Sequence, residues 1–321
     1  MQAFLFPGQG AQTVGMLKDY YQRYPSIFRP LLEEANEQLG FEIDDYMFKG
    51  PKRVLDQTEI TQPAMLISSV GIAYLLQEEG IYPDVVAGHS AGQFSALVIA
   101  NALSFSDAVK MIHVRGKCMG AVDKDGAMLA VHTKNRETIN EILHFITGYG
   151  INVAAHNSPS QLVLSGDKKI IEVIQKELTA IPAVMTKSLS VSQAFHSTLM
   201  EPARTQFLQE VDLNCIKNPT IPIVLNCNAN KSTSRIDIIN DIIGQFTEPV
   251  LWSKTVDELA ASSVSTYIEV GIGKVLSKLL RNFQYGGRAF STDTTSGFQK
   301  LIKVKQSIGQ PLNSVVEDIK V

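Results

Sequence analysis

Cysteine is scarce in this chain: 321 residues hold three, Cys118, Cys215 and Cys227, far apart and without a Cys-x-x-Cys pair. That scarcity excludes a disulfide framework, offers no zinc-ligand spacing and no metal site, and fits a reducing, cytoplasmic setting. An excess of positive charge is missing as well. Lysine and arginine number 29 against 32 aspartates and glutamates, a net charge of −3, so no basic field points to nucleic acid or to an anionic membrane. No window reaches the ~18 uninterrupted apolar residues of a membrane span. The first ten residues carry neither a basic segment nor an apolar stretch of signal-peptide length. Repeats and low-complexity tracts are absent too. What remains is the profile of a cytoplasmic globular protein, 45% hydrophobic and 19% charged, long enough for one large core and a smaller lobe. Nothing in it demands more than a monomer.

What is present is an alternation of apolar strands and helices. Ala3 to Phe6 reads as a short buried strand closed by the tight loop Pro7-Gly8-Gln9-Gly10. Helical spacing runs over 20–39, interrupted near Pro25 and Pro30, and 63–79 is apolar on several sides, the pattern of a buried helix. Val85-Val86-Ala87 forms a further strand, Gln93 to Ala102 a helix of small residues, and Ser106 is placed to cap a helix over 107–119. This order predicts an α/β fold with a mostly parallel sheet covered on both faces. The middle of the chain changes character: strand 127–132, amphipathic helix 135–147, strands at 153–155 and 162–164, helix 168–178 and strand 183–189. That β-α-β-β-α-β series is the split βαβ, ferredoxin-like pattern. Strand-like segments return at 221–225 and 266–270. A ferredoxin-like subdomain (126–189) is therefore expected as an insertion in a larger subdomain built from 1–125 and 190–321.

Gly88-His89-Ser90-Ala91-Gly92 follows one of these strands and opens a helix. Strand, Gly-x-Ser-x-Gly turn and helix together make a nucleophile elbow, which lifts the serine hydroxyl above the sheet and turns the next amide toward a developing oxyanion. Ser90 is the candidate nucleophile. A serine hydroxyl needs a base at neutral pH, and six histidines compete. His89 adjoins Ser90 and reads as elbow scaffold. His113, His132, His144 and His156 sit in or near regular elements and read as surface or packing residues. His196 lies in an irregular stretch after the inserted lobe closes, followed by Thr198 and Glu201 at capping-box spacing; a loop returning from a second lobe can aim it across a cleft. The loop at 6–10 either completes an oxyanion hole through Gln9 and the Ala91 amide or is a plain strand-to-helix turn. Arg115 either grips a substrate carboxylate with its planar fork or is a solvated surface group. Spacing alone does not choose.

Seven motifs then fall in one order: Phe-Pro-Gly-Gln-Gly at 6–10, Gly-His-Ser-Ala-Gly at 88–92, Arg-Gly-Lys at 115–117, Asn-Ser-Pro-Ser-Gln at 157–161, Ala-Phe-His-Ser at 194–197, Glu-Pro-Val-Leu-Trp at 248–252 and Glu-Val-Gly-Ile-Gly-Lys-Val-Leu at 269–276. Over residues 1 to about 282 the chain resembles the malonyl-CoA:acyl carrier protein transacylases of fatty-acid synthesis and the free-standing, trans-acting acyltransferases of polyketide synthesis. The resemblance implies an α/β-hydrolase-like subdomain with a ferredoxin-like insertion. It implies that Ser90 carries the acyl group, that His196 is the base, and that a backbone carbonyl at Gln245, rather than an acid, orients the histidine. Gln9 and Ala91 match the oxyanion-hole positions, Arg115 matches the arginine that binds the malonyl carboxylate, and Asn157, Gln161 and Phe195 fall in the substrate-binding set. The implied partners are malonyl-CoA and the phosphopantetheine thiol of an acyl carrier protein, with no cofactor.

Two positions depart from the family pattern. Gln93 stands where the family usually has Glu, and Ala91 where it usually has a larger aliphatic residue. Phe195 before the base resembles acyltransferases that prefer malonyl over a 2-methyl branch, a discrimination worth only ~1–3 kcal/mol. The rival readings are a proofreading acyl hydrolase acting on carrier-protein thioesters, which Arg115 disfavours, and a non-catalytic scaffold that binds carrier proteins.

Overall fold

A central strand explains the architecture. Ala3 to Phe6 are wholly buried, and an apolar run with no polar alternation suits a strand covered on both faces. In the computed structural model, which describes residues 1–308 apart from 124, 135, 192 and 285, this run is β1 (Gln2–Phe6). The end of the expected 190–321 segment, 309–321, lies outside the described residues. The other strands are β2 (Val85–Gly88), β3 (Gly126–Thr133), β4 (Asn152–Ser158), β5 (Gln161–Asp167), β6 (Val184–Ser188), β7 (Ile223–Val224), β8 (Lys231–Ser232), β9 (Thr266–Glu269) and β10 (Arg288–Ser291).

Six of them form one sheet in the order β10-β9-β1-β2-β7-β8. Every pairing in it is parallel except β7 with β8. The carboxyl ends of β1, β2 and β7 therefore lie side by side, where loops of open α/β sheets gather functional groups. Register fixes the first two: Phe6 pairs with Gly88, and the His89 amide donates to the Phe6 carbonyl at 2.9 Å.

The remaining four strands form a separate antiparallel sheet, β4-β5-β3-β6. With the helices Arg136–Ile146 and Lys168–Thr179 this gives the β-α-β-β-α-β series read from the sequence. On β5 the faces divide cleanly: Leu162 and Leu164 pack with Ile142 and Ile174 of those helices, while Val163 joins the large core. Val250, outside both sheets, ties its segment to β4: its amide donates to Ala154 and its carbonyl accepts from His156, each at 2.9 Å.

Several local details differ from the sequence expectations. The apolar helix runs Thr58–Glu78, so Pro63 sits inside it rather than at its start. Proline leaves the carbonyl four residues earlier without a helical donor; that carbonyl, Glu59, pairs instead with His113 Nδ1 at 3.1 Å. This helix is long and apolar enough to cross a membrane by length and composition, but its apolar window is 89% buried inside the protein. Ser104, not Ser106, caps the helix Phe105–Gly120, its Oγ accepting from the Asp107 amide at 3.1 Å. Likewise Ser197, not Thr198, caps the short turn Thr198–Met200 that precedes the helix Glu201–Glu210. Short edge strands β8 and β10 had no sequence signal.

Candidate active site

The elbow is built as its glycines require. A Cβ on Gly88 would come within 2.2 Å of the Gln93 nitrogen, and one on Gly92 within 2.1 Å of the Phe6 carbonyl, so only glycine lets strand and helix pass this closely. Between them Ser90 adopts φ 52°, left-handed for a non-glycine residue, a conformation that costs energy and is held by its surroundings. Asn226, just beyond β7, supplies part of that hold: its Oδ1 accepts from the Ser90 amide at 2.8 Å, and its Nδ2 donates to the Gly88 carbonyl at 2.9 Å.

His196 also takes a left-handed φ, 56°, and the Ser197 hydroxyl closes the turn on the Ala194 carbonyl at 2.6 Å. The result brings His196 Nε2 to 2.7 Å from Ser90 Oγ. The imidazole is buried. Burial first, then the charges of Arg115 and His89, push its pKa down to about 3, against backbone groups of Glu248 and Gln245 that favour the cation. The ring is thus neutral at physiological pH, ready to accept the serine proton. Among the described residues no acceptor closes a hydrogen bond on Nδ1; the expected Gln245 backbone registers, with that of Glu248, only as an interaction that favours the cation.

That depression has a consequence for stability. The unfolded chain takes up a proton at this histidine below pH ~6.5 while the native state stays neutral, so stability is full above that pH and falls as pH drops toward 3. The expected loss from His196 between pH 7 and pH 5 is about 2 kcal/mol, with His89, also lowered by burial, acting in the same direction. Urea unfolding at the two pH values checks it: His196→Gln should flatten the dependence, and an unchanged dependence would refute the assignment.

Arg115 reaches the same point from the helix Phe105–Gly120. Its Nη2 lies 3.2 Å from Ser90 Oγ and 3.4 Å from Gln245 Oε1, its Nη1 donates to Gln62 Oε1 at 2.8 Å, and its guanidinium lies 5.7 Å from the Phe246 ring centroid. The side chain is only 1% exposed, and burial lowers its pKa to about 10. Among the described residues no carboxylate pairs with it, and its Nε has no partner. A buried cation with only neutral acceptors around it is a site for an anion.

Gln9 and Ala91 lie on adjoining loops, at the ends of β1 and β2. The Gln9 side chain donates to Thr58 Oγ1 at 3.3 Å, and among the described residues neither the Gln9 nor the Ala91 amide has a protein acceptor. Asn157 Oδ1 meets His89 Nε2 at 2.9 Å, and Asn157 Nδ2 donates to Gln161 Oε1 at 3.3 Å; this pair bridges β4 and β5 to the elbow. The His89 ring also packs on Trp252, 5.4 Å between centroids, as befits scaffold. Phe195 is buried beside His196. Among the described residues no group of three His, Cys, Asp or Glu side chains could hold a metal. Gln62 and Asn226 went unread in the sequence. The signal for Gln62 was a long polar side chain within a mostly apolar buried helix; for Asn226, its place just after a parallel strand.

Fold and site together define an α/β acyl-transfer architecture, a serine–histidine pair on an elbow beside a buried arginine. The acyl transferase domain model matches residues 3–290, and the chain belongs to that family. It is 38% identical to the malonyl CoA-acyl carrier protein transacylase of Bacillus subtilis, covering 87% of this chain and 89% of that one. It is 36% identical to the corresponding transacylase of Escherichia coli, over 87% and 91%. The crystal structure of FabD from Acinetobacter baumannii superposes with a TM-score of 0.88 at 31% identity, over 96% of this chain and 99% of that one. A malonyl-transacylase solved in complex with a type II PKS acyl-carrier protein matches at TM-score 0.86 and 30% identity, over 94% and 99%.

Proposed function

We propose that this enzyme transfers a malonyl group from malonyl-CoA to the phosphopantetheine thiol of an acyl carrier protein, through a malonyl ester on Ser90. The observation that carries the reading is the buried, carboxylate-free guanidinium of Arg115, 3.2 Å from the hydroxyl that His196 also contacts. His196 Nε2 removes the Ser90 proton as Oγ attacks the thioester carbonyl. The carbonyl electrons move onto its oxygen, which the Gln9 and Ala91 amides receive. Collapse breaks the C–S bond, and His196 returns the proton to the departing CoA sulfur. In the second half the carrier's thiol gives its proton to His196, its sulfur attacks the ester, and collapse restores the Ser90 hydroxyl. Arg115 holds the distal carboxylate by two hydrogen bonds throughout. The Gln245 backbone steadies the imidazole, and Phe195, Asn157 and Gln161 border the acyl pocket.

The same reading takes 126–189 as the inserted subdomain, 1–125 with 190–321 as the catalytic one, and the protein as a cytoplasmic monomer that needs no resident cofactor. Its test is intact-mass analysis after mixing with malonyl-CoA. A single malonyl adduct is expected, absent in Ser90→Ala and discharged by a phosphopantetheinylated carrier protein. Failure to form it would overturn the reading, and discharge to water at the same rate without carrier would point to hydrolysis.

A further inference from the structure

Behind the elbow lies a buried acid that the proposed mechanism does not use. Asp241, on the helix Arg235–Gly244, is 3% exposed. Its carboxyl oxygens accept from N–H donors: the Cys227 amide on Oδ1 at 2.7 Å, and on Oδ2 both Gln93 Nε2 at 2.9 Å and Gln245 Nε2 at 3.0 Å. An ionised carboxylate only accepts, whereas a side-chain amide donates at one end and accepts at the other. Burial raises the Asp241 pKa, but each of these contacts to its oxygens comes from an N–H donor, so the group acts as an acceptor and dictates which way each attached amide points. Because Gln245 gives its nitrogen to Asp241, its Oε1 is left facing the Arg115 guanidinium. Because Gln93 gives its nitrogen to Asp241, its Oε1 accepts from Asn226 Nδ2 at 2.6 Å. Asn226 must then present Oδ1 to the Ser90 amide. Both branches start at Asp241 and end at Ser90, one on its amide and one, through Arg115, on its hydroxyl.

The geometry points to Asp241 as a positioning residue that sets the hydrogen-bond polarity of both branches, and so holds the Ser90 backbone and the Arg115 guanidinium in their working orientations. An asparagine at 241 keeps its oxygen for the Cys227 amide and turns an NH2 toward two other NH2 groups. Gln93 and Gln245 are then driven to flip, placing donor against donor at Asn226 and at Arg115. A glutamate at 93 beside Asp241 sets two carboxylates 2.9 Å apart, where both cannot stay ionised, and the proton they share lets that glutamate donate to Asp241 as Gln93 does. The two changes together restore order on the serine branch: the amide introduced at 241 donates to the carboxylate introduced at 93, which accepts from Asn226 as Gln93 did. The arginine branch stays reversed.

The inference deepens the proposed function, so its test uses a readout of Ser90 independent of malonyl transfer. Labelling of Ser90 by a serine-directed alkyl fluorophosphonate is followed by intact mass in the native protein, Gln93→Glu, Asp241→Asn and the double variant, alongside malonyl loading from malonyl-CoA. Asp241→Asn should slow labelling at least tenfold, while Gln93→Glu, sharing a proton with Asp241, should stay within a few-fold of the native rate. The double variant should label at least several-fold faster than Asp241→Asn, while its malonyl loading stays depressed because Arg115 faces a reversed amide. If Asp241→Asn does not fold, a folded double variant that labels near the native rate but loads malonyl poorly keeps the test decisive. A double variant no faster than Asp241→Asn, or Asp241→Asn labelling at the native rate, would overturn the inference. A native protein that takes up the fluorophosphonate but no malonyl group would instead sink the proposed function, leaving the polarity reading to the four labelling rates.

Discussion

Replacing His196 by alanine should lower kcat/KM for malonyl-CoA by roughly three orders of magnitude, the upper part of the range for a positioned general base, while the fold persists. The size follows from geometry. Nε2 stands 2.7 Å from Ser90 Oγ, and among the described residues no other imidazole or carboxylate contacts that oxygen. The second polar neighbour is Arg115, a cation that cannot take a proton. Serine and histidine act as one unit, so Ser90→Ala combined with His196→Ala should be scarcely worse than either alone. Steady-state kinetics of the three variants check this. Additive losses would mean that the hydroxyl finds its base elsewhere. The histidine variant should also be slow in both half-reactions, because the same nitrogen returns a proton to CoA and later takes one from the carrier thiol.

Much of this centre was legible in the chain, and the reason is local. The elbow is a contiguous device in which glycine spacing, the preceding apolar strand and the following small-residue helix all answer to one close backbone crossing, so Ser90 could be read directly. The buried strand at 3–6 and the β-α-β-β-α-β series were legible for the same reason, since periodicity along a single segment reports which faces are covered. The illegible parts depend on what a distant segment supplies. Asn226 holds the Ser90 amide across 136 residues, Gln62 anchors Arg115 across 53, and the local signal each carries does not name its partner. The Pro63 reading failed because the carbonyl that proline orphans is met by His113 from another helix, which removes the usual penalty. Ser104 displaced Ser106 as cap because Asp107 follows it at the spacing that lets the hydroxyl accept the third amide. The motif at 157–161 marked Asn157 and Gln161, yet nothing in it disclosed that Asn157 reaches back to His89.

Arg115→Met should lower kcat/KM for malonyl-CoA about a hundredfold, near 3 kcal/mol, the upper end for a hydrogen bond to a charged group, and leave acetyl-CoA turnover unchanged or raised. Methionine keeps the unbranched apolar stem and removes the guanidinium with its charge. In the native protein the guanidinium is buried among neutral acceptors, Gln62, Gln245 and the Ser90 hydroxyl, so its desolvation is compensated only when a carboxylate arrives. The substitution removes that gain for malonyl and removes a buried, partly unpaired charge for acetyl, which moves the two substrates in opposite directions. Arg115→Lys should fall between, because an ammonium keeps the charge but lacks the planar fork that grips a carboxylate bidentately. A second readout is independent of the substrate's far end. Arg115 is one of the charges that depress the His196 pKa, so its loss should raise that pKa and carry the acid limb of acetyl-CoA turnover upward in pH. A malonyl-to-acetyl ratio left intact by Arg115→Met would move the carboxylate site elsewhere in the cleft; an unshifted acid limb would mean that burial alone keeps the imidazole neutral.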